Sequence, residues 1–295
     1  MRRIALALLI AAGLGIRPCP AGRRASVTLG TWTARQPFTG RGGTIHYYLF
    51  TPKAAKPAGK YPLVVWLHGG LRSNGKGGPN MPTAAFYRDQ HQRKRPCFVL
   101  RPVAIKGENW VSPRGAGTGS HLLPKRPAAS VGLLMELLDR TVKRHPIDPN
   151  GVHLIGASMG GYGVWDVIAR HPKRFASAIP ICGGGDPTKA LAIKHMRIWV
   201  FHAVNDPYVP VRGSRQMVAA LMATTTGKPV VKQHADRIVR SSADGRIRYT
   251  EFRGGGHNAW DRALSDPQVI QWVLAPCRPA TRPATRPASA PAAKP

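Results

Sequence analysis

The sequence predicts an α/β fold built on a mostly parallel twisted sheet, with helices on both faces and antiparallel strands at its N-terminal side. Three observations carry that expectation. Short apolar runs of strand length recur along the chain, helix-period segments alternate with them, and a Gly-x-Ser-x-Gly turn joins one such run directly to a helix. The 295 residues are 43% hydrophobic, enough for a sizeable core, and the 32 glycines and 28 prolines follow no collagen-like period. Fibrous and wholly disordered readings are thereby excluded.

Met1-Arg2-Arg3 followed by the apolar Ile4 to Ile16 has the charged and apolar regions of a secretory signal peptide. Residues 1–21 are therefore expected to direct export, to a secreted or periplasmic location. The apolar stretch is too short for a bilayer, which takes about 20 helical residues. Cleavage after Ala21 puts the small Cys19 and Ala21 at −3 and −1, although Arg17-Pro18 leaves the site open. A lipid anchor on Cys19 is the rival reading, with a poor lipobox before it, and an uncleaved helix is the plainest alternative.

Ser26 to Trp32 and Thr44 to Phe50 alternate like antiparallel strands with one exposed face. Runs fit for buried strands follow at Leu63 to Leu67, Cys97 to Val103, Val152 to Ile155, Ala178 to Cys182, Ile198 to Phe201 and Arg248 to Phe252. Helical periodicity marks Ala129 to His145, where Val131, Leu134, Leu138 and Val142 share a face, and then Gly160 to Arg170, Arg212 to Met222 and Pro267 to Leu274. Leu71 to Tyr87 and Ala104 to Pro127 read as long functional loops. Thr224 to Arg246 either covers a cleft or forms a hairpin through Asp244-Gly245. The folded domain is expected over 26–275. Beyond it, residues 276–295 repeat Arg-Pro-Ala-Thr/Ser from Arg278, Arg282 and Arg286, a low-complexity tail without a core. It is either a contact for an anionic surface or a solvated end with no partner.

Lys+Arg number 44 against 13 Asp+Glu, a net +31. Nine of those cations lie in the two ends, and the rest are scattered. They carry no recognition motif and no interleaved aromatics, so no specific nucleic-acid partner is expected. The positive surface either draws an acidic glycan ester toward a cleft or reflects only an arginine-rich composition. Among four cysteines no pair has C-x-x-C spacing, and Cys97 and Cys182, beside apolar runs, are expected to be buried thiols. The 11 histidines show no metal-ligand spacing, and neither a metal nor another cofactor is expected. Gly70-Leu71-Arg72-Ser73-Asn74-Gly75-Lys76 imitates a phosphate-binding loop, but Gly77 replaces the Ser/Thr that would hold magnesium. The prolines at 79 and 82 oppose the helix such a loop needs.

The chemistry concentrates at Gly156-Ala157-Ser158-Met159-Gly160-Gly161, between a buried-strand run and a helix. A turn that tight strains its central residue and demands small residues two before and two after, which suits Ser158 as an exposed nucleophile. Such a serine needs a base and a carboxylate that orients it, following in the order Ser, Asp, His on this kind of sheet. Asp206, beyond the run ending at Phe201, and His257, beyond the run ending at Phe252, supply them. Both lie past carboxyl ends of expected parallel strands, where sites in such sheets form. An oxyanion hole needs the N–H of Met159 and one from an earlier loop, here Gly70, or failing that Leu71, in Leu67-His68-Gly69-Gly70-Leu71. His68 reads as a residue that orders this loop. Trp110 and Trp260 are candidates to line an acyl or aromatic pocket, with a core role as the alternative.

These residues, with Leu67-His68-Gly69-Gly70, Arg174 to Asp186, Trp199-Val200-Phe201-His202, Asp206 to Pro210 and Gly256 to Asp261, resemble the α/β-hydrolase superfamily. Within it the chain is similar to secreted carboxylesterases and "predicted peptidases" related to feruloyl esterases and polyhydroxybutyrate depolymerases. The resemblance runs from about Thr44 to Leu274. It implies Ser158 as nucleophile, Asp206 as acid, His257 as base, and a small-molecule or polymeric ester as substrate, including acyl or feruloyl esters of glycans. Two departures stand out: Ala203 replaces the usual glycine after His202, and 224–246 is longer than the expected link. The rival readings are a serine peptidase on the same fold and a non-catalytic cell-surface binding module.

Overall fold

Alternate side chains of the central strands feed two separate cores, and the helices follow from that division. The structure, a computed structural model, describes residues 29–70, 83–111 and 119–275. Along β4 (Tyr61–Leu67), Leu63, Val65 and Leu67 enter one core while Val64 and Trp66 enter the other, as the two-residue repeat of a strand requires. A strand buried on both faces has no polar side, which is why its run reads as uniformly apolar. β5 (Phe98–Val103), β6 (Ile147–Ala157), β7 (Ser177–Ile181), β8 (Arg197–Ala203) and β11 (Ile247–Phe252) divide their side chains in the same way.

The first core is closed by α3 (Ala129–Arg144), α4 (Met159–Arg170), α5 (Ala190–Ile193) and α6 (Arg212–Met222). α1 (Ala84–Tyr87), α7 (Ala259–Ser265) and α8 (Pro267–Val273) close the second. α2 (Asp89–Lys94) joins α1 to β5 through buried Gln92, whose amide donates to Phe86 O and Cys97 O. Each fully buried Leu, Val, Ile or Phe contributes about 1.5–3 kcal/mol.

Among the described residues the sheet runs β1 (Gly30–Trp32), β3 (Gly43–Pro52), β5, β4, β6, β7, β8, β11, β10 (Arg237–Ser241), β9 (Val230–Gln233), and β2 (Gln36–Gly40) pairs β3. From β5 to β11 all neighbours are parallel, and the pairs outside them are antiparallel. This is the α/β arrangement expected, with refinements at its margins. β1 begins at Gly30, β2 is an additional strand hidden by its single buried side chain, Phe38, and the expected loop 71–87 ends in α1. The segment 224–246 extends the sheet with β9 and β10. Its turn into β11 passes through Asp244-Gly245, where Gly245 takes φ +70° and Asp244 accepts from Ser242 Oγ and Arg246 N–H. The expected signal peptide, the 276–295 tail, Leu71 and the phosphate-loop imitation beyond Gly70 lie outside the described residues. No described helix is long and apolar enough to cross a membrane.

One residue separates β6 from α4, so the helix must start against strand backbone. A Cβ on Gly160 would meet Leu67 O at 2.0 Å, and one on Gly156 would meet Gly160 O at 2.4 Å. Backbone cannot swing away as a side-chain tip can. Gly160→Ala should therefore cost about 3 kcal/mol or more, read as a Tm fall of roughly 6–12 °C in thermal denaturation. An unchanged Tm would refute the tight approach.

Candidate active site

Ser158 occupies the link between β6 and α4 with φ 57° and ψ −122°, a conformation that costs an L residue about 1–3 kcal/mol. Its N–H donates to Ile181 O at 2.9 Å and its carbonyl accepts from Tyr162 N–H at 3.1 Å, so strand and helix hold it there together. His257 Nε2 lies 2.9 Å from Ser158 Oγ, and His257 Nδ1 lies 2.7 Å from Asp206 Oδ2. Sheet order makes this possible, because β8 and β11 are parallel neighbours paired at Ala203 and Phe252. Asp206 and His257 therefore leave the sheet side by side, and Asn205 Oδ1 ties the two loops by accepting the Gly256 N–H at 3.0 Å.

The Asp206 carboxylate is wholly shielded from solvent. Its Oδ1 accepts the N–H groups of Tyr208 and Val209, both at 2.9 Å. Burial pushes its pKa up, but hydrogen bonds from His202, His257, Val209 and Tyr208 outweigh that and hold the carboxyl well below the usual carboxylate range. His202 was not singled out by sequence as a site residue. Its ring is fully buried, with Nδ1 at 2.8 Å from Ser214 Oγ and Nε2 at 3.0 Å from Val209 O and 3.3 Å from Asp206 Oδ2. Both neighbours of Nε2 only accept, so that nitrogen carries a proton. Asp206 Oδ2 thus stands between two imidazoles. The available signal was a polar residue directly after the apolar run Ile198 to Phe201.

Of the expected oxyanion donors, Met159 directly follows Ser158, and Gly70 directly follows Gly69. Met159 opens α4, where first-turn amides have no intrahelical acceptor. Gly69 runs past the serine so closely that a Cβ on it would sit 3.4 Å from Ser158 Cβ. His68 orders this loop as expected: its Nε2 accepts Ala104 N–H at 3.0 Å, which leaves Nδ1–H to donate to Gly69 O at 2.9 Å.

Trp110 needs correction. It is 0% exposed, its Nε1–H donates to His68 O at 3.0 Å, and its ring packs edge-on against His68. A side chain so enclosed cannot line a pocket; it pins the loop from beneath. Trp260 remains beside the serine row, perpendicular to the His257 ring at 5.3 Å. Sequence reasoning missed Tyr208, which is 74% exposed and packs edge-on with the His257 ring at 5.3 Å. An exposed aromatic ring two residues after the candidate acid was the signal for it.

A model of the family described as "Putative esterase" matches residues 40–258. The poly(3-hydroxybutyrate) depolymerase of Ralstonia pickettii is 29% identical over 140 residues, 45% of this chain and 28% of that protein. A solved thermostable esterase is 32% identical with a TM-score of 0.66, covering 82% of this chain and 62% of its own. The chain thus spans less than two thirds of either relative. The feruloyl esterase module from Clostridium thermocellum, solved as an S954A mutant with sinapinate, is similar in fold at 15% identity and TM-score 0.55, over 84% of this chain and 86% of that one.

Two thiols are buried, and one of them, Cys182, borders the site. Cys182 is buried with φ 47°, and its Sγ–H points to His257 O at 3.5 Å. Burial and the neighbouring Asp206 charge push its pKa well up, while burial takes Cys97 to about 12. The ligand atoms of Cys182, His202 and Asp206 lie within 4.8 Å of one another, the one such group among the described residues. Hydrogen bonds already engage each of them, which opposes a metal there. Protonated, enclosed thiols are poor nucleophiles. In a Cys19→Ser/Cys277→Ser background, Ellman's reagent should label neither Cys97 nor Cys182 in the native protein at pH 8 and both after denaturation; rapid native labelling would contradict this environment.

Proposed function

Since the chain belongs to the Esterase family, we propose that it is a serine carboxylesterase working by acyl transfer through Ser158. The observation that carries this reading is the continuous row from Ser158 Oγ through His257 to buried Asp206. Ser158 Oγ attacks the ester carbonyl carbon as His257 Nε2 takes the hydroxyl proton. Asp206 keeps Nδ1 protonated and stabilises the imidazolium that forms. The carbonyl oxygen, now an anion, is met by the N–H groups of Gly70 and Met159 at the positive end of α4. Collapse expels the alcohol, which leaves with the proton from His257. Water then repeats the sequence against the acyl-enzyme, giving the acid and restoring Ser158. Each step uses the chain's own groups and water.

Tyr208 and Trp260 frame His257 with aromatic edges. They favour an ester with an aromatic or extended acyl group, and the likeness to a feruloyl esterase module and a polymer depolymerase supports acyl or feruloyl glycan esters as substrates. In this reading residues 1–21 direct export and 26–275 form the catalytic domain.

Ser158→Ala should lower kcat on p-nitrophenyl butyrate by at least about 10⁴-fold and abolish labelling by a fluorophosphonate. Equal rates in variant and wild type would sink the assignment. His202, acting through Asp206, is a positioning residue. Normalised to active sites by fluorophosphonate titration, His202→Leu should reduce kcat by about 10–100-fold, the cost of a lost buried hydrogen bond, with KM unchanged. His202→Gln, which keeps a donor, should recover most of that loss. A merely structural role would lower the active fraction and leave kcat per site intact.

A further inference from the structure

The strands added by 224–246 build a second concave surface. Beside α7 and α8, the faces of β9, β10 and β11 enclose an open groove of about 710 Å³. Strand alternation decides what enters it: Lys232, Arg237 and Arg248 share this face, and Arg262 of α7 joins them. Against these four cations stand Asp236 at the rim and Asp266 in the lining. Asp236 is shared by Arg237 at 3.3 Å and Arg262 at 2.8 Å, and Asp266 Oδ1 caps α8 by accepting Gln268 N–H. Among the described residues no carboxylate lies within ion-pairing distance of Lys232 or Arg248.

The opposite face of the same strands is built differently. There Glu251 neutralises Arg215 through two hydrogen bonds, at 2.8 and 2.9 Å. In the groove Arg248 lies over Trp199 at 5.0 Å and reaches Trp272, whose ring Arg197 also covers at 4.4 Å. Burial and the Arg197 charge both press the Arg248 pKa down, so an incoming anion would relieve a standing repulsion. The cations span three strands, about 10 Å across at normal strand spacing, which suits several charges of one chain better than a single small anion.

We propose that this groove binds an acidic polysaccharide, a chain of carboxylate-bearing sugars. A single-stranded nucleic acid is also a polyanion, but its bases need exposed aromatic faces to stack on. Here Trp199, Phe201 and Phe252 are at most 4% exposed, and Arg262 lies 3.9 Å over Phe252. The groove therefore offers charge without a stacking platform. Arg262 Nη1 also donates to Gly254 O, which ties the groove's α7 side to the loop that carries His257. Binding in this groove does not depend on the esterase reading.

Polygalacturonate oligomers are the probe, with a neutral xylan fragment and oligothymidylate as comparators and the full chain as the protein. Lys232→Glu/Arg237→Glu should weaken polygalacturonate binding at least about tenfold and flatten its salt dependence. Lys53→Glu/Lys143→Glu, an equal charge change at exposed positions elsewhere, should change it little. Equal losses in the two variants would reduce the effect to net charge and overturn the site. Oligothymidylate that binds as tightly and competes would overturn the glycan assignment. Thermal melting checks folding, and should the glutamate pair fail to fold, Lys232→Gln/Arg237→Gln carries the same comparison.

Discussion

The approach of α4 to the backbone of β4 and β6 governs the rest of this molecule. Gly160 against Leu67 O leaves no space for a side chain, and that contact fixes where the helix begins. With one residue between strand and helix, Ser158 has to absorb the whole change of direction, and its φ of 57° is the consequence. Strain at the serine is the local cost of presenting its oxygen above the sheet. Packing of two apolar cores against the same strands stabilises the arrangement against it.

Around that turn the site is assembled by shielding as much as by contact. Asp206 is buried, and a buried carboxylate is tolerable only when donors surround it. Two backbone amides, His257 and His202 do so. The arrangement orients the His257 ring and fixes which of its nitrogens faces Ser158. A similar economy holds on the other side, where Trp110 and His68 lock the glycine loop that runs past Ser158. The rings of exposed Tyr208 and half-buried Trp260 pack against the histidine.

The 224–246 segment shows how an edge addition can acquire chemistry without disturbing the centre. β9 and β10 are paired antiparallel at the far side of β11, so the parallel strands that carry Ser158, Asp206 and His257 keep their order. Their alternating side chains sort charge between the faces: a neutralised cluster at Glu251 beneath α6, and a groove beside α7 and α8 whose four cations exceed their carboxylate partners. The segment's length could be seen in the sequence. Which of its residues share a face depended on the hairpin register.

Local patterns were enough for the sequence to determine the parallel strands, the longer helices α3, α4 and α6, the proline-started α8, and the order Ser158, Asp206, His257, because each rests on periodicity or on turn chemistry within a few residues. Elements with too little buried apolar surface escaped it: β2 buries only Phe38, β9 buries nothing, α1, α2 and α5 span at most six residues, and α7 buries only Ala259, Ala263 and Leu264. Tertiary structure alone decided what distant residues do to one another. It sent Trp110 into the core, set Tyr208 beside His257, and placed His202 against the acid. Burial and non-local pairing arise from how β8, β11 and their loops stand together in space, and no short window of sequence contains that information.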